Sequence, residues 1–264
     1  MRSVLPWLIP VAMCATWPAP ARAADPARIV AAKRTLERGV YAKTPETLVR
    51  ARAEFQAMSA AEPKSALLHY WVAVTDWRLV PRLSEKKREA QRYLKEGLSH
   101  ADRALELDPR MAEALAVKSS LQGLSIQFDS SIMMTLGPEL EMNMQRALEA
   151  DPENPRIHLL DAIGTLHKPE FVGGGADKAL AKLIKTQELF AAESHADSTV
   201  PDWGREESYI WAGRSALALK DYEAARGFYQ KALEINPGNG WVRHVLVPEL
   251  EKAATAPAEG KSGS

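Results

Sequence analysis

The chain has 264 residues, of which 34 are basic, 34 are acidic and 46% are hydrophobic. Balanced charge offers no general electrostatic attraction to nucleic acid or to an anionic membrane, so no nucleic-acid partner is expected. The length and the apolar content suffice for a large buried core or for one elongated stack of repeated units.

Residues 1–23 have the pattern of a cleaved signal peptide. A basic residue, Arg2, precedes an apolar stretch, and the stretch ends in the small-x-small sequence Ala21-Arg22-Ala23. Three prolines interrupt the apolar stretch, which is shorter than the ~20 residues that a membrane-spanning helix needs. The sequence therefore predicts export, cleavage before Ala24, a periplasmic location and no membrane span.

The single cysteine, Cys14, lies inside the predicted signal. The mature chain would then contain no disulfide and no cysteine metal site. The alternative is a lipoprotein whose Cys14 carries lipid, but Val11-Ala12-Met13 fits such a cleavage site poorly because a small residue usually precedes the cysteine. Lipid anchoring is therefore the less favoured interpretation.

A recurring phrase divides the mature chain into units. It reads RALELDP at 103–109, RALEADP at 146–152 and KALEINP at 231–237. Proline cannot continue a helix, so each phrase is predicted to end one. Five prolines mark such boundaries at intervals of 46, 43, 49 and 36 residues: Pro63, Pro109, Pro152, Pro201 and Pro237. Segments of this length between helix ends are typical of stacked helix pairs.

Residues at equal distances from these prolines have similar character. The residues eight positions on are large and apolar: Trp71, Val117, Leu160 and Tyr209. Small residues such as Gly164 and Gly213 stand twelve positions on, on the same helix face, where they would let a second helix approach closely. The second helix is indicated by Ala and aromatic residues at helical spacing before the closing proline.

The remaining segments have simpler interpretations. Residues 81–87, 129–139 and 168–175 are predicted to be loops between the first and second helix of a unit. Residues 240–254 are predicted to form an amphipathic capping helix, and residues 255–264 a disordered tail. Gly173–Gly175 suits a tight turn better than a phosphate site, because it lacks the spacing of either common phosphate-binding glycine motif.

The last unit, SYIWAGRSALALKDYEAARGFYQKALEINP, resembles a tetratricopeptide repeat (TPR). The positions that match the family pattern are Tyr209, Ala212, Gly213, Tyr222, Ala225, Tyr229, Ala232 and Pro237, whereas Ala216 stands where an aromatic residue is usual. The resemblance implies an all-α fold over residues 24–254. It would be a right-handed α–α superhelix of about five helix pairs plus a C-terminal capping helix, in an exported bacterial member with divergent, lengthened repeats.

The resemblance also implies where a partner binds. Members generally bind through first-helix residues on the concave face, and a mixture of charged and apolar residues there suits a polypeptide better than a nucleic acid. The residues six, nine and thirteen positions after the prolines would line this groove: His69, Asp76, Lys118, Gln122, His158, Asp161, Thr165, Glu207, Ile210 and Arg214. An ordinary solvated groove without a partner remains open.

No catalytic residue, cofactor or metal site is predicted. The six histidines show no metal-ligand spacing, and no residue pair has nucleophile–base spacing. The leading hypothesis is a non-catalytic scaffold that binds a polypeptide. The alternative is a small-ligand protein or an accessory subunit of a periplasmic solute transporter, which a deep pocket lined by Trp71, Trp77 and the methionines of residues 133–144 would favour.

Overall fold

The computed structural model describes residues 25–194 and 197–255, which contain helices and no strands. The predicted signal peptide, Cys14 and residues 256–264 lie outside this part of the chain. The helices are α1 (Pro26–Val40), α2 (Glu46–Ala61), α3 (Ala66–Arg82), α4 (Lys87–Leu107), α5 (Ala112–Phe128), α6 (Met133–Ala150), α7 (Pro155–His167), α8 (Ala176–Ala192), α9 (Arg205–Ala218), α10 (Tyr222–Ile235) and α11 (Val247–Thr255).

The helices pack as five consecutive pairs, from α1 with α2 to α9 with α10. A π-helical turn, Val242–Leu246, and α11 then close the C-terminal end. The first helices of successive units also contact one another, α3 with α5, α5 with α7 and α7 with α9. The predicted all-α solenoid of five helix pairs and a cap is therefore confirmed, and the surface made by the first helices is called the inner face below.

The unit boundaries follow from local capping chemistry. Pro63, like three of the other four boundary prolines, follows the second helix of its unit within a short turn. Two of the first helices that follow are capped by a side chain: Ser65 Oγ accepts from the N–H of Leu68 at 3.4 Å, and Asn154 Oδ1 accepts from the N–H of Arg156 at 3.1 Å. Pro201 instead lies in the longest connection, residues 193–204.

Close contact within a pair depends on glycine at one position in particular. A Cβ atom added to Gly213 would lie 2.3 Å from the ring of Tyr229. The Tyr229 ring therefore packs directly on the backbone of α9, as the resemblance of the last unit to a TPR implies.

One predicted loop is largely helical. Residues 129–139 were expected to project as a loop, but α6 begins at Met133 and includes Pro138. Pro138 lies in the second turn of α6, where it has no N–H to donate to the carbonyl four residues earlier, and the helix continues through it. Pro81 lies in the last turn of α3.

The two ends of the stack meet. Tyr41, just after α1, packs against the C-terminal cluster that includes Ile210 and Val242. Arg82 at the end of α3 donates to the carbonyl of Lys43 at 3.1 Å. The first unit therefore contacts the last unit as well as its neighbour in sequence.

Candidate binding surface

The structure buries most of the residues predicted to line the groove. Seven are buried: His69, Asp76, Gln122, Asp161, Thr165, Glu207 and Ile210. Lys118, His158 and Arg214 keep part of their surface exposed.

These residues do not share one face of the stack. Helices α3, α5 and α7 begin three residues after their boundary proline, but α9 begins four residues after Pro201. One residue turns a helix by about 100°, so equal distances from proline point in different directions. In the second, third and fourth units the chosen residues face the second helices, whereas Glu207 and Arg214 of the last unit face inward.

Ion pairs between the two helix layers show this orientation. Asp76 accepts from Arg52 of α2 at 3.2 Å, and Lys118 pairs with Asp102 of α4 at 2.9 Å. Asp161 pairs with Lys182 of α8 at 2.7 Å. Gln122 and Thr165 also contact second helices: Gln122 donates to Glu139 of α6, and Thr165 accepts from Lys182 of α8. These side chains tie first helices to second helices.

Two of the predicted histidines hold turns in place. Nε2 of His69 lies 3.3 Å from the carbonyl oxygen of Pro63, and Nε2 of His158 lies 2.8 Å from that of Pro152. A carbonyl only accepts, so the proton is on Nε2 in each ring. Nδ1 of His69 then accepts from Nδ1 of His100 at 2.8 Å. Burial, followed by His69, lowers the pKa of His100 to about 4.

An open cleft of about 760 Å³ runs along α4. Its lining includes His69, His100, Lys95, Arg103 and Phe128. Trp71 and Trp77, whose lining of a deep pocket would have favoured the small-ligand alternative, do not line this cleft. Those two rings are packed within the protein: Trp71 stacks on Phe55 at 5.4 Å, and Trp77 lies 5.8 Å from Trp203.

Residues 197–204, called the inner segment, lie against the inner face. Nζ of Lys33 in α1 donates to the carbonyls of Ser198 and Val200, both at 2.6 Å, and pairs with Asp202 at 3.0 Å. Nε1 of Trp203 donates to the hydroxyl of Tyr70 in α3 at 3.0 Å. The inner face thus already holds a stretch of the chain's own backbone.

Gly204 lets the inner segment turn into α9. Its φ is 105°, and an added Cβ would lie 2.9 Å from the side chains of Leu159 and Phe190. Both the left-handed backbone and the close approach require glycine here.

A buried ion pair joins α3 to α9 beside the inner segment. Arg78 donates to both carboxylate oxygens of Glu207, at 2.9 and 2.8 Å. Its guanidinium also lies against two indole rings, 4.9 Å from the centre of Trp77 and 4.8 Å from that of Trp203. Bidentate pairing and stacking together fix the guanidinium in one orientation.

A polar network continues from Tyr70 along the inner face. The Tyr70 hydroxyl donates to Glu113 of α5, which also accepts from Nε of Arg156 in α7 at 2.7 Å. Burial and the adjacent Glu113 raise the pKa of Tyr70 well above its usual value. Sequence reasoning missed these residues, because the proline distances chosen for the groove pass over Tyr70, Glu113 and Arg156.

The C-terminal part of the inner face differs from this filled region. Arg214 lies 4.6 Å from the ring centre of Trp211 and 5.7 Å from that of Trp241, and His167 packs edge-on against Trp211 at 5.6 Å. These four residues are called the Arg214 cluster. Both indoles are partly exposed and His167 is exposed.

The guanidinium of Arg214 makes no hydrogen bond or ion pair with any residue in 25–194 or 197–255. Burial lowers its pKa. The hydroxyl of Tyr229 is buried and likewise has no hydrogen-bond partner among the described residues, and burial raises its pKa to about 12. The cluster is therefore an under-satisfied polar site beside exposed aromatic surface.

The glycine loop shows why a phosphate site is disfavoured. The N–H groups of Gly173, Gly174 and Gly175 donate to the carbonyls of Glu170, Pro169 and Thr165, at 3.0, 3.1 and 3.1 Å. A Cβ on Gly174 would lie 1.9 Å from the carbonyl oxygen of Lys168. These donors are used to close the loop.

Two further observations concern the described residues only. They include no group of three or more His, Cys, Asp or Glu side chains arranged to hold a metal ion. Nor does any helix among them have the length and apolar character needed to cross a membrane.

Comparisons with known proteins agree with the architecture. Residues 206–239 match the tetratricopeptide repeat family model. The HusA haemophore from Porphyromonas gingivalis is similar in structure, with a TM-score of 0.61, 23% identity, and coverage of 75% of this chain and 96% of that chain. A thermophilic TPR protein of Thermus thermophilus has a TM-score of 0.57 at 18% identity, with 84% and 98% covered. Among curated proteins none matches.

Proposed function

Because the chain is a TPR-like protein, we propose that it is a non-catalytic interaction protein that binds a polypeptide partner on its inner face. Stacked helical repeats present extended concave surfaces of this kind. The observation that carries the proposal is the inner segment, since this face already holds a non-helical stretch of the chain's own polypeptide through a donor to its main-chain carbonyls. The partner binds beside that segment, at the C-terminal part of the face.

The Arg214 cluster marks that part because it combines exposed indole surface with an unpaired cation. Aromatic and arginine side chains are the residue types most enriched at the energetic centres of protein interfaces. Of the residues predicted from sequence, Arg214 keeps its role in this proposal, whereas the buried Asp76, Gln122, Asp161 and Thr165 support the stack from within.

Site-specific photocrosslinking in cells tests the binding face. A photoreactive amino acid at the exposed His167 position should give a discrete adduct with a polypeptide. The matched control places the same group at Lys185, which is exposed on the outer helix α8. Adducts of equal yield from both positions, or no adduct from His167, would contradict the proposal.

The proposed location is the periplasm, reached through removal of residues 1–23. The motivating observation is the basic start, the short apolar stretch and the Ala21-Arg22-Ala23 ending. Full-length protein should appear in the periplasmic fraction with an N-terminus at Ala24, and a chain lacking residues 2–23 should stay in the cytoplasm. Recovery of an uncut N-terminus in the periplasm would argue against the signal.

A small-ligand protein, such as a transporter accessory subunit, is the second candidate. The cleft along α4 favours it, since Lys95 and Arg103 offer cations beside the apolar ring of Phe128. The similar structure from Porphyromonas gingivalis is a haemophore, so hemin is a reasonable first probe. If this candidate is correct, absorbance titration should show saturable binding that His100→Leu weakens, whereas linear absorbance would count against it.

A further inference from the structure

Two arginines of this chain are held in similar aromatic surroundings. Arg78 lies 4.9 and 4.8 Å from the ring centres of two tryptophans, and Arg214 lies 4.6 and 5.7 Å from those of two others. In both places the indoles leave the hydrogen-bonding edge of the guanidinium free to meet an acceptor.

The acceptor is present at the first arginine. Glu207 reaches Arg78 from a different helix pair and accepts two hydrogen bonds, so the charge is paired although both side chains are buried. The chain thus contains one arginine between two indoles whose Nη atoms are paired with the side-chain carboxylate of an acidic residue.

The acceptor is missing at the second arginine. Within the described residues Arg214 has no hydrogen bond and no ion pair. The carboxylate of Glu249 in α11 interacts with it electrostatically but lies beyond ion-pair distance, and its other neighbours include His167 and the unpartnered hydroxyl of Tyr229. A partly buried guanidinium gains most from a carboxylate that meets it in bidentate geometry.

We propose that the Arg214 cluster binds an acidic side chain of the polypeptide partner, with an adjacent apolar residue of the partner packed on Trp211 and Trp241. This inference rests on the proposed function and adds the chemistry that the partner must have. Charge complementarity identifies the acidic group, and the exposed indole surface identifies its apolar neighbour.

Selection from a random peptide library on the mature chain, followed by Kd measurement on synthetic peptides, tests the proposal. The selected peptides should contain Asp or Glu beside an apolar residue. Replacing that acid by its amide should weaken binding by about tenfold or more, as should Arg214→Gln. Amidating the peptide C-terminus should change the Kd less than about twofold.

Arg243 provides the matched control, because it is an exposed arginine in the adjacent cap. Arg243→Gln removes the same charge and should leave the Kd within about twofold. A second variant, Trp241→Leu, should weaken binding while Arg214 is retained, and thermal melting should establish that each variant remains folded.

Each contrary result has a distinct meaning. Peptides that bind equally well to Arg214→Gln would overturn the acidic contact while leaving polypeptide binding in place. Loss of affinity on C-terminal amidation alone would assign the site to a chain terminus and so reject the side-chain proposal. If no peptide is selected, both this inference and the proposed function fail.

Discussion

The inner face has a filled region around Arg78 and an unfilled region around Arg214. In the first, the carboxylate of Glu207 and the indoles of Trp77 and Trp203 surround the cation, and Trp203 is supplied by the inner segment. In the second, two indoles are present without a hydrogen-bonded carboxylate. Under the proposal above, the same arginine environment stabilises the fold where the chain supplies the acceptor and binds a partner where it does not.

The largest effect should come from breaking the filled region. Arg78→Met leaves Glu207 buried without its cation, which should lower the free energy of unfolding by about 3–5 kcal/mol. Chemical denaturation checks this loss. The double variant Arg78→Met, Glu207→Leu should recover most of it, since no charge is then left unpaired. A single variant as stable as the parent would show that the pair adds nothing.

The stability of the protein should be next most sensitive to the close contact between α9 and α10 beside Arg214. Gly213→Ala places a methyl group against the ring of Tyr229 and should cost about 2 kcal/mol through overpacking. Gly227→Ala is the control, because space is open around this exposed glycine of α10, and it should gain up to about 1 kcal/mol from helix propensity. Equal effects of the two substitutions in thermal melting would argue against the close contact.

The inner segment should lose protection from hydrogen exchange when the side-chain cation of Lys33 in α1 is removed. Lys33→Met deletes the donor to the carbonyls of Ser198 and Val200 and should cost about 1.5 kcal/mol locally. Hydrogen exchange of residues 197–204 should then be about tenfold faster than in the parent. The exposed Lys43→Met serves as the control. Unchanged protection in both variants would mean that the segment is held by other contacts.

The smallest effect on stability should come from Arg214 itself. Arg214→Gln removes only the indole contacts among the described residues and should change the free energy of unfolding by less than about 1 kcal/mol. A loss as large as that of Arg78→Met would break the comparison, because it would mean that Arg214 already has a strong intramolecular partner.

The sequence predicted the architecture well because the relevant signals are local. Boundary prolines and the recurring RALE phrases identified five helix pairs, and the pairing of Gly213 with Tyr229 is written within one 30-residue segment. The start of α6 was misplaced because Pro138 resembles a helix breaker, whereas α6 begins at Met133 and continues through it.

The surface was harder to predict, for two physical reasons. First, α9 begins one residue farther from its boundary proline than α3, α5 and α7 do, so a single distance from proline selected different faces in different units. Second, the contacts that fill the inner face join residues such as Lys33 and Ser198, which are 165 positions apart. No local pattern encodes such a contact, although Trp203 in this connection was a signal that the segment packs against the protein.

The meeting of the two ends, through Tyr41 and the C-terminal cluster, changes how the molecule responds to force. An open helical stack stretches like a spring, since each unit touches only its neighbours. Here elongation must first separate the first unit from the last, so the molecule should be stiff until that contact breaks and compliant afterwards. The spacing of the inner side chains should therefore stay constant under load until that contact separates.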